Sequence, residues 1–251
     1  MADTATLPVA LRRLAEQVRP VALAGQQVLP VLPALAGLLP DGALRRGSTV
    51  AVGAAGGGAS GATSLAPALC AGASEAGSWV AAVGHPALGP VAAAEAGVAL
   101  ERLLLVADPA AAWPAVVAAL VDALDLVLVR PEGRRGTDVR RIAARQRERG
   151  AVVVVVGPAS AWPGPVDVHL TVEAARWEGL EPGHGRLSAR RIEVVAGGRG
   201  AAARPRRASL WLPAADGGVR PAGAGGGVDG VDRVDDGRGD PVAPVALREV
   251  G

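Results

Sequence analysis

The chain has 251 residues, half of them apolar, with a net charge of +2 and a pI near 9.8, enough for one α/β domain with a sizeable core. No run approaches the roughly 20 uninterrupted apolar residues of a membrane span, and the N-terminus lacks a charged-then-apolar leader layout, so neither a membrane partner nor export is expected. Lysine, asparagine, phenylalanine and tyrosine are absent, a bias that suggests a very GC-rich genome, and the single Cys70 predicts a reducing cytoplasm and a buried, inert thiol.

Leu7 to Val18 reads as an amphipathic helix ended by Pro20, with Leu7, Leu11, Leu14 and Val18 on one face and Arg12, Arg13 and Glu16 on the other. Its apolar face suits docking on a neighbour or packing on its own sheet, with Leu11 as the test position. A Pro-punctuated apolar segment follows to Leu39, so residues 1–38 are expected to precede a core at 39–213. Within that core the pattern predicts a strand at 49–53, a Gly-rich loop and helix at 56–72 and a strand at Trp79–Val83. A helix around Pro90–Ala96, a strand at Arg102–Val106 and a helix from Trp113 to Leu124 come next. Leu126–Val129 and Ala151–Val156 are continuous apolar runs, as strands covered on both faces of a mostly parallel sheet require. Thr137 is expected to cap a helix, Asp138 to Arg149, that stops at Gly150. Val166–Val172 and Arg190–Val195 alternate apolar and polar, which predicts strands at a half-exposed sheet edge. After Pro213 the composition predicts a disordered tail, 214–251.

The stretch Gly56-Gly57-Gly58-Ala59-Ser60-Gly61-Ala62-Thr63 has the spacing of a phosphate-cradling loop, G-x-x-x-x-G-K-[ST], with Ala62 where the lysine belongs. A strand precedes it and a helix follows, the context such a loop needs. Backbone N–H groups of the turn hold phosphates in a working loop, the lysine bridges the terminal ones, and the hydroxyl, here Thr63, binds Mg²⁺. The other reading of the stretch is a Gly/Ala-rich linker. Arginine does not substitute safely for a catalytic lysine, and position 62 carries no charge at all.

The run Leu39 to Val52, the loop, His85-Pro86-Ala87-Leu88-Gly89-Pro90 and Ala96 to Leu104, in that order and spacing, resemble the ATPase core of the RecA recombinase. The similarity continues through Val166–Val172 and Ser188–Val195. Among RecA relatives the chain resembles the short, degenerate ImuA-type accessory proteins of actinobacteria. The resemblance implies a RecA-like P-loop core, α/β, with a mostly parallel sheet flanked by helices. It also implies a role in the SOS response to DNA damage, beside an inactive Y-family polymerase relative and an error-prone replicative polymerase in translesion synthesis, with a RecA-type recombinase as a further partner.

Against an active RecA pattern, the strand Leu126–Val129 should end in the carboxylate that orients Mg²⁺, and it ends in Arg130. His85 stands where a glutamate would activate the attacking water. Phosphoryl transfer rests on positioning and on neutralisation by metal and cations, so the expectation is a pseudo-ATPase with no catalytic residue, no metal and no obligatory cofactor. Arg130 could instead hold phosphates in a weak, metal-free complex, or pair in solvent with Asp125 or Glu132. His85 is either a base or an isolated histidine, as His169 and His184 are; no Cys/His or carboxylate cluster has metal-ligand spacing.

Arginine clusters at Arg130–Arg149, including Arg134, Arg135, Arg140 and Arg141, and at Arg186–Arg207 make nucleic acid a candidate partner through salt-sensitive phosphate contacts. Against it, Pro131–Gly136 and Gly157–Pro165 are all that remains of the two DNA-contacting loops of RecA-like proteins, and stacking aromatics are scarce. Trp211 and the Arg-rich helix are the other expected contact points. The resemblance, with these departures from an active ATPase, therefore implies an inactive RecA-like adaptor in error-prone repair. An active or slow DNA-dependent ATPase that binds ssDNA, and an interaction protein unrelated to repair, are the alternatives.

Overall fold

The computed structural model describes residues 28–57, 61–85, 87–130, 136–181 and 184–223. Near the start, β1 (Val28–Pro30) pairs antiparallel with β2 (Ala43–Arg45), and the short helix α1 (Pro33–Ala36) lies between them. Leu29, Leu35, Leu38 and Leu44 from this segment are buried in the main core, so residues 28–38 belong to the core that they were expected to precede. The helix expected at Leu7–Val18 lies outside the described residues.

Nine strands then form one sheet in the order β11-β10-β9-β8-β3-β7-β6-β4-β5. The strands β3 (Thr49–Ala54), β4 (Val80–Val83), β5 (Leu103–Val106), β6 (Leu126–Val129), β7 (Val152–Val156) and the start of β8 (Val168–Glu181) run parallel. Every residue of β6 and β7 is buried, as their unbroken apolar sequences require of strands covered on both faces. One face packs on α2 (Ala62–Glu75) and α3 (Pro90–Glu95), which contribute Leu65, Leu69, Cys70 and Ala93 to the first core. The other packs on α4 (Trp113–Ala123) and α5 (Gly136–Arg149), whose Trp113, Val117, Leu120, Val139 and Ile142 form a second. On α5 the apolar spacing is helical, and Gln146 on the same face accepts from the Thr49 hydroxyl (3.2 Å) and donates to the Ser48 carbonyl (2.5 Å), tying the helix to the start of β3.

Beyond β8 the sheet turns antiparallel through β9 (His184–Gly198), β10 (Arg206–Trp211) and β11 (Arg220–Pro221). Three expectations are corrected here. The alternating segments at 166–172 and 190–195 are interior strands of the sheet; its edges are β5 and β11. Alternation arises in β9 because one face is buried and the other only partly covered. Thr137 sits inside α5, which already includes Gly136, so it does not cap that helix. The tail does not begin at 214: Ala214 accepts from Gly217 and donates to the Gly218 carbonyl, and Ala222 donates to Ser209 (2.8 Å), which carries ordered chain to the end of β11. Residues 224–251 lie outside the described ones.

A candidate site at the carboxyl ends of the parallel strands

The crossover after β4 runs over the α2/α3 face to β5, and the one after β6 runs over the opposite face through α5 to β7. Neighbouring strands whose connections leave on opposite faces part above their carboxyl ends, and that crevice is where such sheets bind ligands. Val83 and Val129 are register partners there, so His85 and Arg130, just beyond them, come together. The His85 side chain is mostly buried. Burial first, and the Arg130 charge second, lower its pKa to about 4, against a backbone hydrogen bond at Val129 that raises it. His85 is therefore neutral near physiological pH and a weak base beside the Arg130 guanidinium. Asp125, one expected partner of Arg130, precedes β6 and is engaged by Arg46 at 2.7 Å. A strand's length separates it from Arg130, about 16 Å at ~3.3 Å per residue, which excludes that pair. Glu132, Arg134 and Arg135 lie outside the described residues.

The glycine loop leaves β3 through a single 3₁₀ turn in which Gly56 has φ of 79°, and residues 58–60 lie outside the described ones. Gly61 precedes α2 with φ of 90° and its carbonyl accepts from Ser64 (3.1 Å) and Leu65 (2.9 Å), closing the first helical turn. Thr63 is exposed, while Ala62 is half-buried and packs against the core. The Ala62 methyl group offers a phosphate neither charge nor donor. The positive charge beside this turn comes from elsewhere. Arg190 of β9 is buried, donates through Nη2 to the Ser64 hydroxyl and through Nε to the Leu212 carbonyl, both at 2.8 Å, and lies 5.0 Å from the centre of the Trp177 ring. Its guanidinium carbon would stand only 3.1 Å from a Cβ at position 61, so Gly61 is required both by its dihedral and by the arginine against it. Burial lowers the Arg190 pKa from its ordinary value.

Arg190 entered the sequence reading only as one member of a basic cluster. Its signal was present: it falls on the same alternate positions as Ile192, Val194 and Ala196, all buried, which points it inward. Cys70 is buried in α2, and its surroundings push its thiol pKa up. Arg140 and Arg141 are exposed on α5. Trp211, expected as an exposed contact point, is partly buried in β10 between Arg191 of β9 and Arg220 of β11. Leu11 lies outside the described residues. The donor set does not fit a Mg²⁺-nucleotide, since alanine stands at the lysine position and arginine at the carboxylate position. Among the described residues no group of three or more His, Cys, Asp or Glu could hold a metal ion, and no helix is long and apolar enough to cross a membrane.

Fold and site together define an α/β protein with a mixed nine-stranded sheet, a glycine-rich segment between its central strand and first long helix, and His85 beside Arg130 above the carboxyl ends. Residues 37–164 match the MT3502 N-terminal domain family, and the chain belongs to that family. It is also 36% identical over 149 residues to the uncharacterized protein Rv3395c of Mycobacterium tuberculosis, a match that spans 56% of this chain and 72% of the relative. The matched family region runs from just after α1, through β2 and on past β7, and so contains the loop, His85 and Arg130.

Proposed function

We propose that this chain is a catalytically inactive RecA-like adaptor in error-prone DNA repair, which acts by contact with an inactive Y-family polymerase-like subunit. The sheet order and the place of the glycine loop support the RecA-like reading. The observation that carries the loss of chemistry is Arg130 beside His85 at the switch point. A unit positive charge at about 5 Å repels a cation by about 3 kcal/mol for each unit of its charge, at an effective dielectric near 20. Metal-assisted phosphoryl transfer is thereby opposed where it would need a carboxylate. Contact surface, in contrast, is plentiful: Trp177, Leu180 and Leu187 on the β8–β9 hairpin are 42%, 61% and 46% exposed, and Arg140 and Arg141 lie open on α5.

The test has two arms. Purified protein should hydrolyse no ATP above a blank, with or without ssDNA, and should capture the polymerase-like subunit in a pull-down that weakens when Arg140 and Arg141 become Glu. DNA-stimulated turnover abolished by Thr63→Ala would refute the inactive reading, and failure to capture the subunit would refute the adaptor role.

A further inference from the structure

A cavity of about 450 Å³ lies at the end of the sheet opposite the glycine loop, by the starts of β3 and β8. Its apolar wall includes Leu44, Val168 and Ala202, all buried, and Arg45, Arg147 and Arg199 line it with exposed side chains. Of the other charged groups there, Arg46 is held by Asp125, Asp167 accepts the Thr49 amide at 2.8 Å, and Asp41 is exposed. Arginines over an aliphatic floor fit an acidic segment that also carries small aliphatic side chains.

The chain supplies such a segment. Val228-Asp229, Val231-Asp232 and Val234-Asp235 recur every three residues, followed by Asp236, a regularity that a purely compositional reading of the tail passes over. In an extended chain of period three, valines repeat along one side about 9 Å apart and aspartates along the next. Direction and reach agree. β10 runs the same way as β3, and β11 runs against it, so the chain leaves Gly223 toward the cavity end of the sheet. From β11, where the chain leaves, two strand intervals, about 10 Å, lead to β9, beyond whose end Arg199 and Ala202 line the cavity; the register leaves Gly223 about 13 Å short of that end, and roughly five extended residues cover the combined distance of about 16 Å.

We propose that this cavity receives the segment 228–236 of the same chain, valines on the aliphatic floor and aspartates against Arg147 and Arg199. The short tether favours this occupant over a second copy or a separate acidic protein, because it raises the local concentration of the segment.

Hydrogen exchange on the full-length chain at low ionic strength tests it. Amides of 228–236 should exchange roughly tenfold more slowly than in an Arg147→Glu, Arg199→Glu double variant, and high salt should narrow the difference. Both arginines are exposed, so the described core keeps its melting temperature. Val231→Asp with Val234→Asp should release the segment without touching that core, and Asp232→Arg with Asp235→Arg should restore protection to the arginine variant. Unprotected exchange in the wild type overturns the proposal, as does protection that survives both sets of changes. Protection that grows with protein concentration assigns the segment to a second copy and overturns the arrangement within one chain.

Discussion

Acidification should destabilise this protein through His85, by an amount that the crevice geometry sets. Burial and the Arg130 charge hold the native His85 pKa at about 4, against an ordinary 6.5 in the unfolded chain. Between those two values the unfolded state binds a proton that the native state refuses, so stability falls as the pH drops. The contribution is fully present above about pH 6.5 and has been lost by about pH 4. A gap of about 2.5 pH units, at about 1.4 kcal/mol each, corresponds to a loss on the order of 3 kcal/mol. Chemical denaturation of the wild type and of His85→Gln, from neutral pH to about pH 4, isolates this loss because both proteins share every carboxylate. The wild type should lose stability more steeply. Arg130→Ala should recover only the smaller part, since burial is the larger cause. Equal pH dependence in wild type and His85→Gln, or a His85 that titrates in NMR at its ordinary value, would refute the reasoning.

Arg190→Met should lower stability by about 2–4 kcal/mol in guanidinium denaturation, because it removes a charged donor from both the Ser64 hydroxyl and the Leu212 carbonyl; an unchanged midpoint would show that those bonds carry nothing. Gly72→Ala, which would gain roughly 1 kcal/mol in an open helix interior, should instead destabilise. The new Cβ would stand 2.6 Å from the Val31 carbonyl carbon, and a raised melting temperature would contradict that packing.

The parallel half of the sheet was legible because burial on both faces leaves an unmistakable sequence: Leu126–Val129 and Val152–Val156 contain nothing but aliphatic residues. The antiparallel half was harder. In β9 the alternation of Ile192, Val194 and Ala196 with polar neighbours reports which face is covered and says nothing about position in the sheet order, so interior strands read as edges. β10 begins with two arginines, Arg206 and Arg207, and the second pairs with Glu173 at 2.7 Å across the sheet surface. A basic run can thus straddle both faces of one strand, with Arg207 exposed and Arg206 partly buried. At the site, Ala62, His85 and Arg130 were readable because motif spacing places them along the chain. Arg190 was not, since its bond to Ser64 joins residues 126 positions apart, and no local pattern encodes that distance.

Gly53 at the end of β3 and Gly61 at the start of α2 have a physical cause that does not depend on phosphate. A Cβ at Gly53 would press to 3.1 Å on the Gly157 carbonyl oxygen, where the end of β3 passes the end of β7, and Gly61 combines a φ of 90° with the Arg190 guanidinium. Both constraints come from the backbone crossing and from β9, so they hold whether or not an anion visits the turn. The side chains that would act on a phosphate are under no such constraint. Alanine at 62 packs into the core and arginine at 130 fits the end of β6, without disturbing a strand or a helix start. Glycine spacing therefore reports the geometry of the strand-to-helix turn, and the charges at 62 and 130 report the chemistry. Among the described residues Gly53 and Gly61 meet the first requirement, and the residues at 62 and 130 are what the proposed binding role rests on.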